Sequence, residues 1–120
     1  MIKYHTGSVN LKIAEVEPGS DLITSPGDML DIIADAGYNV CDRVIIHEMS
    51  LHRDFFDLKT GLAGEILQKF SNYRVKLAIV GDFTNIKSKS LGDFIMESNR
   101  GRTVNFVSSV EEAVEKLTKK

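Results

Sequence analysis

The stretch from Asp54 to Phe83 constrains the fold of this chain more than any other part of its sequence. Its first half carries apolar residues at the spacing of one helix face: Leu62, Ile66, Leu67 and Phe70. After a short turn, the run KLAIVG at residues 76–81 is typical of a strand buried on both faces. An amphipathic helix followed at once by an apolar strand is a unit of α/β proteins, so the stretch predicts that class of fold.

The rest of the chain repeats this alternation of strand-like and helix-like segments. Gly7-Ser8 separates two extended segments and predicts a tight hairpin. Besides the strand already described, strands are predicted at Ile2–His5, Val9–Val16, Arg43–His47 and Val104–Val107. A helix capped by Ser25, with Pro26 at its first position, precedes the Arg43–His47 strand and ends at Gly37. A helix capped by Ser90 precedes the Val104–Val107 strand, and a last helix with capping-box spacing at Ser109 and Glu112 follows it.

The predicted order is therefore ββαβαβαβα. Strands that alternate with helices of this length pair in parallel through right-handed crossovers. The opening hairpin adds an antiparallel edge. We expect one α/β domain over residues 1–120, with a single mixed, mainly parallel sheet of about five strands and four helices.

Composition argues against several classes of partner. The net charge of −2 gives no electrostatic basis for binding nucleic acid. The longest apolar runs fall far short of the ~20 residues that span a bilayer, so we expect no membrane association. The amino end lacks the apolar block of a signal peptide. A lone cysteine, Cys41, forms no internal disulfide, and a cytoplasmic location is expected. Nothing in the sequence calls for a cofactor.

Nearly the whole chain resembles an uncharacterised bacterial family known as domain of unknown function 4180. The residues that carry the resemblance are the run DFFDLKTGLAGEILQKFSNYRVKLAIVGDF at 54–83 and the later KSKSLGDFIMESNRG at 87–101. This resemblance implies no particular activity, since the family has no settled function.

The predicted order of elements is also similar to that of STAS domains, the sulfate-transporter and anti-sigma-factor-antagonist group. In that family a helix begins near Asp-Ser-Ser-Gly-Leu, and a partner kinase phosphorylates the serine before the glycine. The comparable segment here runs from Asp57 to Gly64, with Thr60 preceding Gly61. It differs by one added residue and by Lys59 in place of the first serine. The resemblance implies a regulatory module that binds a partner.

Thr60 has two interpretations. Its hydroxyl can accept a hydrogen bond from an unpaired helix N–H, which contributes about 1 kcal/mol. Alternatively, a phosphate on Thr60 would add about two negative charges beside the helix N–H groups, with Lys59 nearby. That change would alter partner binding without moving the backbone. Gly61, Ala63 and Gly64 are expected to let the helix pack closely on the sheet.

Metal-capable side chains follow the strand at Arg43–His47, at the edge of the sheet where α/β proteins bind ligands. They are His47, Glu48, His52, Asp54 and Asp57, and Asp82 follows the next strand. A small metal-dependent or hydrolytic enzyme is therefore an alternative. However, His47 and His52 are five residues apart, which differs from the spacing of zinc proteases. The simpler interpretation is that His47 closes the strand and Glu48 bonds loop backbone.

The sequence thus favours a non-catalytic, STAS-like regulatory module that binds a protein or small ligand. Its expected surface is Met49–Leu62, where at least one of Phe55 and Phe56 should join the core. The alternatives are the small enzyme and a structural or oligomerising domain. A homodimer is compatible with all three, and no metal or catalytic set is assigned.

Overall fold

The computed structural model describes residues 2–6, 12–18 and 22–118. Its five strands are β1 (Ile2–Thr6), β2 (Lys12–Val16), β3 (Arg43–His47), β4 (Lys76–Val80) and β5 (Val104–Val107). Its helices are α1 (Pro26–Tyr38), α2 (Leu62–Tyr73), α3 (Lys89–Arg100) and α4 (Val110–Thr118). Three single 3₁₀ turns, at Glu48–Ser50, Arg53–Phe55 and Leu58–Thr60, join β3 to α2.

The strands form one sheet in the order β1-β2-β3-β4-β5. β1 runs antiparallel to β2, and the other neighbours are parallel. The predicted α/β architecture, with one mixed sheet and four helices, is therefore confirmed. The predicted hairpin turn at Gly7-Ser8 and the start of the second strand at residues 9–11 lie outside the described residues.

The core has two parts, one on each face of the sheet. The larger part joins one set of alternating strand residues to α1, α2 and α3, through side chains such as Met29, Ile66 and Leu91. The smaller part joins the opposite set to α4, through Ala113 and Leu117. Because successive strand residues point to opposite faces, β3 contributes Val44 and Ile46 to the first part and Ile45 to the second.

Several predicted helix ends were displaced by local hydrogen bonding. α3 begins after Ser88, whose hydroxyl accepts from the Leu91 N–H at 3.2 Å, so the predicted cap Ser90 lies inside the helix. α1 passes Gly37 and ends at Tyr38. The Cys41 N–H then bonds the Ala36 carbonyl at 2.8 Å, which closes the helix around a left-handed residue, Val40.

The last helix shows a variant of the predicted capping box. The Ser109 hydroxyl accepts from the Glu112 N–H at 3.0 Å, as predicted. The Glu112 carboxylate, however, accepts from the N–H and hydroxyl of Ser108, not from the Ser109 N–H. These bonds hold the pKa of Glu112 below its ordinary value.

Candidate functional site

The segment between β3 and α2, residues 48–61, lies at the carboxyl edge of the parallel strands. Phe55 holds it in place, since this side chain is 1% exposed and belongs to the main core. The predicted burial of at least one of the two phenylalanines is therefore confirmed. The neighbouring Phe56 packs against Phe83, with ring centroids 6.3 Å apart. The segment is thus fixed by its apolar side chains, while polar ones such as Lys59 and Thr60 remain exposed.

Thr60 stabilises the entrance of α2 through a set of local hydrogen bonds. Its Oγ1 lies 2.7 Å from the Asp54 carbonyl oxygen and 2.9 Å from that of Asp57, so the two acceptors share its one proton. The same oxygen accepts from the Leu62 N–H at 3.2 Å. The capping interpretation of Thr60 therefore describes its contacts in the structure.

The residues around Thr60 shape the same turn. The Asp57 carboxylate accepts from the Lys59 N–H at 3.2 Å. Gly61 has φ of 77°, a left-handed conformation that side chains rarely adopt. The prediction that Gly61 and Gly64 allow close helix packing was wrong, because a Cβ added at either position would meet no atom within 4 Å. Ala63, by contrast, is 1% exposed and does pack in the core.

The predicted metal-capable residues are held by different partners. The His52 Nδ1 accepts from the Asp54 N–H at 3.1 Å. The Glu48 carboxylate accepts from the Asp82 N–H at 3.1 Å, which supports the interpretation that Glu48 bonds loop backbone. The Asp82 carboxylate bonds the hydroxyl and N–H of Thr84, and these bonds lower its pKa. Glu48 and Asp82 are therefore adjacent, but their carboxylates accept hydrogen bonds from different groups.

His47 belongs to a cluster that crosses three strands. Its Nε2 lies 2.7 Å from one carboxylate oxygen of Glu15 on β2, and the Nε2 of His5 on β1 lies 2.6 Å from the other. An ionised carboxylate only accepts, so both imidazoles donate. Glu15 is 7% exposed. Burial alone would raise its pKa, but the hydrogen bonds from both histidines and their electrostatic attraction bring that pKa below its ordinary value.

Sequence reasoning missed His5 and Glu15 as partners of His47. Glu15 lies between the apolar residues Ala14 and Val16, which is an unusual place for a carboxylate. That signal was available in the sequence. The pairing itself was not, because β1 and β3 meet through β2 only in the folded sheet.

The sequence profile of the family described as "Domain of unknown function (DUF4180)" matches residues 8–117. The chain belongs to the DUF4180 family. No curated protein and no solved structure gives a significant match to it. The DUF4180 fold is therefore described from the structure of this chain.

Two further properties of this DUF4180 chain concern its predicted partners. Within residues 2–6, 12–18 and 22–118, no group of three or more His, Cys, Asp or Glu side chains is arranged to hold a metal ion. In the same part of the chain, no helix combines the length and the apolar character needed to cross a bilayer.

Gly81 is required in the DUF4180 site by the close approach of Glu48. A Cβ at position 81 would lie 2.9 Å from the Glu48 Cβ and 2.6 Å from its Cδ, far inside normal contact. We expect Gly81→Ala to displace the Glu48 side chain and lower the free energy of unfolding by about 1–3 kcal/mol, measured by urea denaturation.

The matched control for this prediction is Gly64→Ala. This helical position has open space around it, so alanine should raise stability by roughly 0.5–1 kcal/mol. A double-mutant cycle with Glu48→Ala should also show coupling, since that variant removes two of the three clashing carbons. Equal effects of the two glycine substitutions would contradict this account of Gly81.

Proposed function

We propose that this chain is a non-catalytic regulatory module that binds a protein partner through the surface Met49–Leu62. The observation that carries this proposal is the exposed Thr60 hydroxyl, held at the entrance of α2 on a segment fixed by Phe55. Met49, on the same segment, is 68% exposed and offers apolar contact area. The order of elements along the chain, ββαβαβαβα, is similar to that of STAS domains, and this resemblance supports a regulatory role.

The contacts of Thr60 refine how a phosphate would act. A phosphorylated Thr60 has no hydroxyl proton, so it loses the bonds to the carbonyl oxygens of Asp54 and Asp57. The phosphate oxygens would then face those carbonyl oxygens and repel them. The 3₁₀ turns at Arg53–Phe55 and Leu58–Thr60 would therefore rearrange, and the new charge would sit beside Lys59. We therefore expect phosphorylation to change both the charge and the backbone conformation of this segment. The sequence alone had suggested a change of charge without movement of the backbone.

Cross-linking tests the binding surface directly. The tagged chain would be expressed at its natural level in its source organism and treated with a lysine-reactive cross-linker. Lys59 should form cross-links to a partner, whereas Lys116, which is also exposed and lies on α4, should not. Cross-links distributed equally between the two lysines, or none from Lys59, would count against the proposed surface.

Variants of Thr60 test the switch. Thr60→Glu adds charge, and Thr60→Val removes the hydroxyl without adding charge. We expect Thr60→Glu to change the amount of partner cross-linked to Lys59 by about tenfold. Thr60→Ser should leave that amount unchanged, because serine keeps the hydrogen bonds. Mass spectrometry of the purified chain should find phosphate on Thr60. The switch proposal fails if Thr60→Glu leaves every partner interaction unchanged.

No specific observation favours the enzyme alternative. His47, His52 and the carboxylates of Glu48 and Asp82 each have a separate partner, as described above. The oligomerising alternative stays a prediction, to be checked by light scattering.

A further inference from the structure

β1 is an edge strand. It pairs with β2 on one side, and no described strand lies on its other side. Its outward N–H and C=O groups are therefore a template on which another strand can form hydrogen bonds.

A groove of about 540 Å³ lies between β1 and α1. Its apolar lining comes from buried or partly buried side chains that include Val16, Ile23 and Ile32. Tyr4 and Leu22 line the same groove and are 36% and 48% exposed. The groove thus combines an apolar floor with an adjacent strand edge.

The helix side of this groove is acidic. Asp28, Asp31 and Asp35 of α1 all line it. The Asp28 carboxylate accepts hydrogen bonds from the N–H and the hydroxyl of Thr24, each at 3.0 Å. Asp31 and Asp35 are exposed and form no ion pair with any described residue.

The side chain of Lys12 lies near the groove. Lys12 lies 5.6 Å from the centroid of the Tyr4 ring, and its Nζ donates to the Asn39 carbonyl at 3.1 Å. Asn39 is also one of the lining residues. Among the described lining residues the three aspartates are the charged ones, so they make this side of the groove negative.

We propose that this groove binds an extended peptide with a basic residue at every second position, which adds to the sheet as a strand beside β1. Asp31 and Asp35 are one helical turn apart, about 6 Å along the axis. Side chains on one face of a strand repeat at about 6.7 Å, so two alternate arginines match the two carboxylates. Their apolar stems lie on the groove floor while their guanidinium groups bind the aspartates.

A second copy of this chain is a poorer occupant. Antiparallel pairing of two β1 strands would place both α1 helices on the same face of a joined sheet. The carboxylates of the two helices would then oppose one another, and like charges disfavour the contact. This proposal concerns a different surface from Met49–Leu62 and does not depend on Thr60.

The probe is a fluorescein-labelled nine-residue peptide of alternating threonine and arginine, with both ends blocked. Its control has the same composition with all arginines in one block, so its charge is equal but its alternation is lost. Fluorescence polarisation with the full chain should show saturable binding, at least about tenfold tighter for the alternating peptide. Equal affinity for the two peptides would mean attraction by charge alone and would overturn the proposal.

Two matched double variants locate the site. Asp31→Asn with Asp35→Asn should weaken binding of the alternating peptide by about tenfold or more. Glu111→Gln with Glu115→Gln removes two exposed carboxylates of the same spacing from α4, on the opposite face of the sheet, and should change affinity less than about twofold. Circular dichroism checks that both variants fold. Equal losses in the two variants would overturn the proposal.

N-methylation of the peptide tests strand addition. In an added strand, alternate N–H groups point toward β1, so methyl groups on one set of alternate residues should abolish binding and those on the other set should leave it. Equal binding by both methylated peptides would overturn the proposal. Sedimentation that shows a dimer unable to bind the alternating peptide would also overturn the proposal, because β1 would then pair with a second copy.

Discussion

Phe55→Ala is expected to lower the free energy of unfolding by about 3–5 kcal/mol. The side chain is 1% exposed, and its removal leaves a cavity beneath the 3₁₀ turns that join β3 to α2. Its ring meets Phe56 edge-on, with centroids 5.1 Å apart. Chemical denaturation monitored by circular dichroism measures the change.

The effect should extend beyond the cavity because the aromatic rings form a chain across the molecule. Phe56 contacts Phe83, which packs on Phe106 of β5 at 5.2 Å, and Phe94 of α3 packs on Phe106 at 6.1 Å. Loss of Phe55 removes the end of this chain that lies under the proposed binding surface. Hydrogen exchange should therefore show reduced protection of the Leu62 amide, which the Thr60 hydroxyl caps.

Two control variants make the Phe55 prediction specific. Phe55→Leu retains an apolar side chain and should cost less than half as much as alanine. Tyr73→Ala removes a large ring that is 59% exposed, and it should change stability by less than about 1 kcal/mol. A loss below about 1 kcal/mol for Phe55→Ala would show that this ring does not hold the segment.

Glu15→Gln is expected to lower the free energy of unfolding by about 2–3 kcal/mol at pH 7. Glutamine offers one acceptor in place of two, so its NH₂ group would face the Nε2–H of either His5 or His47. The variant loses a hydrogen bond to a charged group and leaves a donor unpaired in a buried place. Urea denaturation at fixed pH measures the loss.

The Glu15 contribution should depend on pH in a defined direction. The pKa of Glu15 in the folded chain is below its ordinary value of 4.5, because the hydrogen bonds from both histidines outweigh the opposing effect of burial. A lowered pKa means that the stabilisation is fully present above pH 4.5 and is lost as pH falls through the folded value. The stability difference between the wild type and Glu15→Gln should therefore shrink in acid below pH 4.5.

The control for Glu15 is Glu111→Gln, an exposed carboxylate in the first turn of α4. Its substitution should change stability by less than about 1 kcal/mol at pH 7. A difference between the wild type and Glu15→Gln that stays constant from neutral pH into acid would show that the carboxylate does not hold the cluster.

Much of the fold follows from local signals in the sequence. β3 and β5 were predicted with their observed bounds because short runs of β-branched and apolar residues leave few alternatives. Helix ends were less accurate. Ser88 and Ser90 have the same capping chemistry, and only the hydrogen bond from the Leu91 N–H selects Ser88.

In the candidate site, too, the sequence could indicate contacts between near neighbours but not contacts between distant residues. The role of Thr60 as a cap depends on residues at most six positions away, so the sequence could indicate it. The contact of Glu48 with Gly81 and Asp82 joins residues more than thirty positions apart. The Glu15 cluster likewise joins residues from three strands. Such pairings depend on strand order and register, which short-range patterns do not encode.

The sequence by itself determined the class of fold, the order of the strands along the chain and the local chemistry at the entrance of α2. These features depend on periodicity and on hydrogen bonds between near neighbours. Only the tertiary structure decided that His47 binds Glu15 together with His5, and that β1 and α1 enclose a groove with an acidic side. Both features arise where distant segments meet, because the sheet register determines which side chains face one another across the strands.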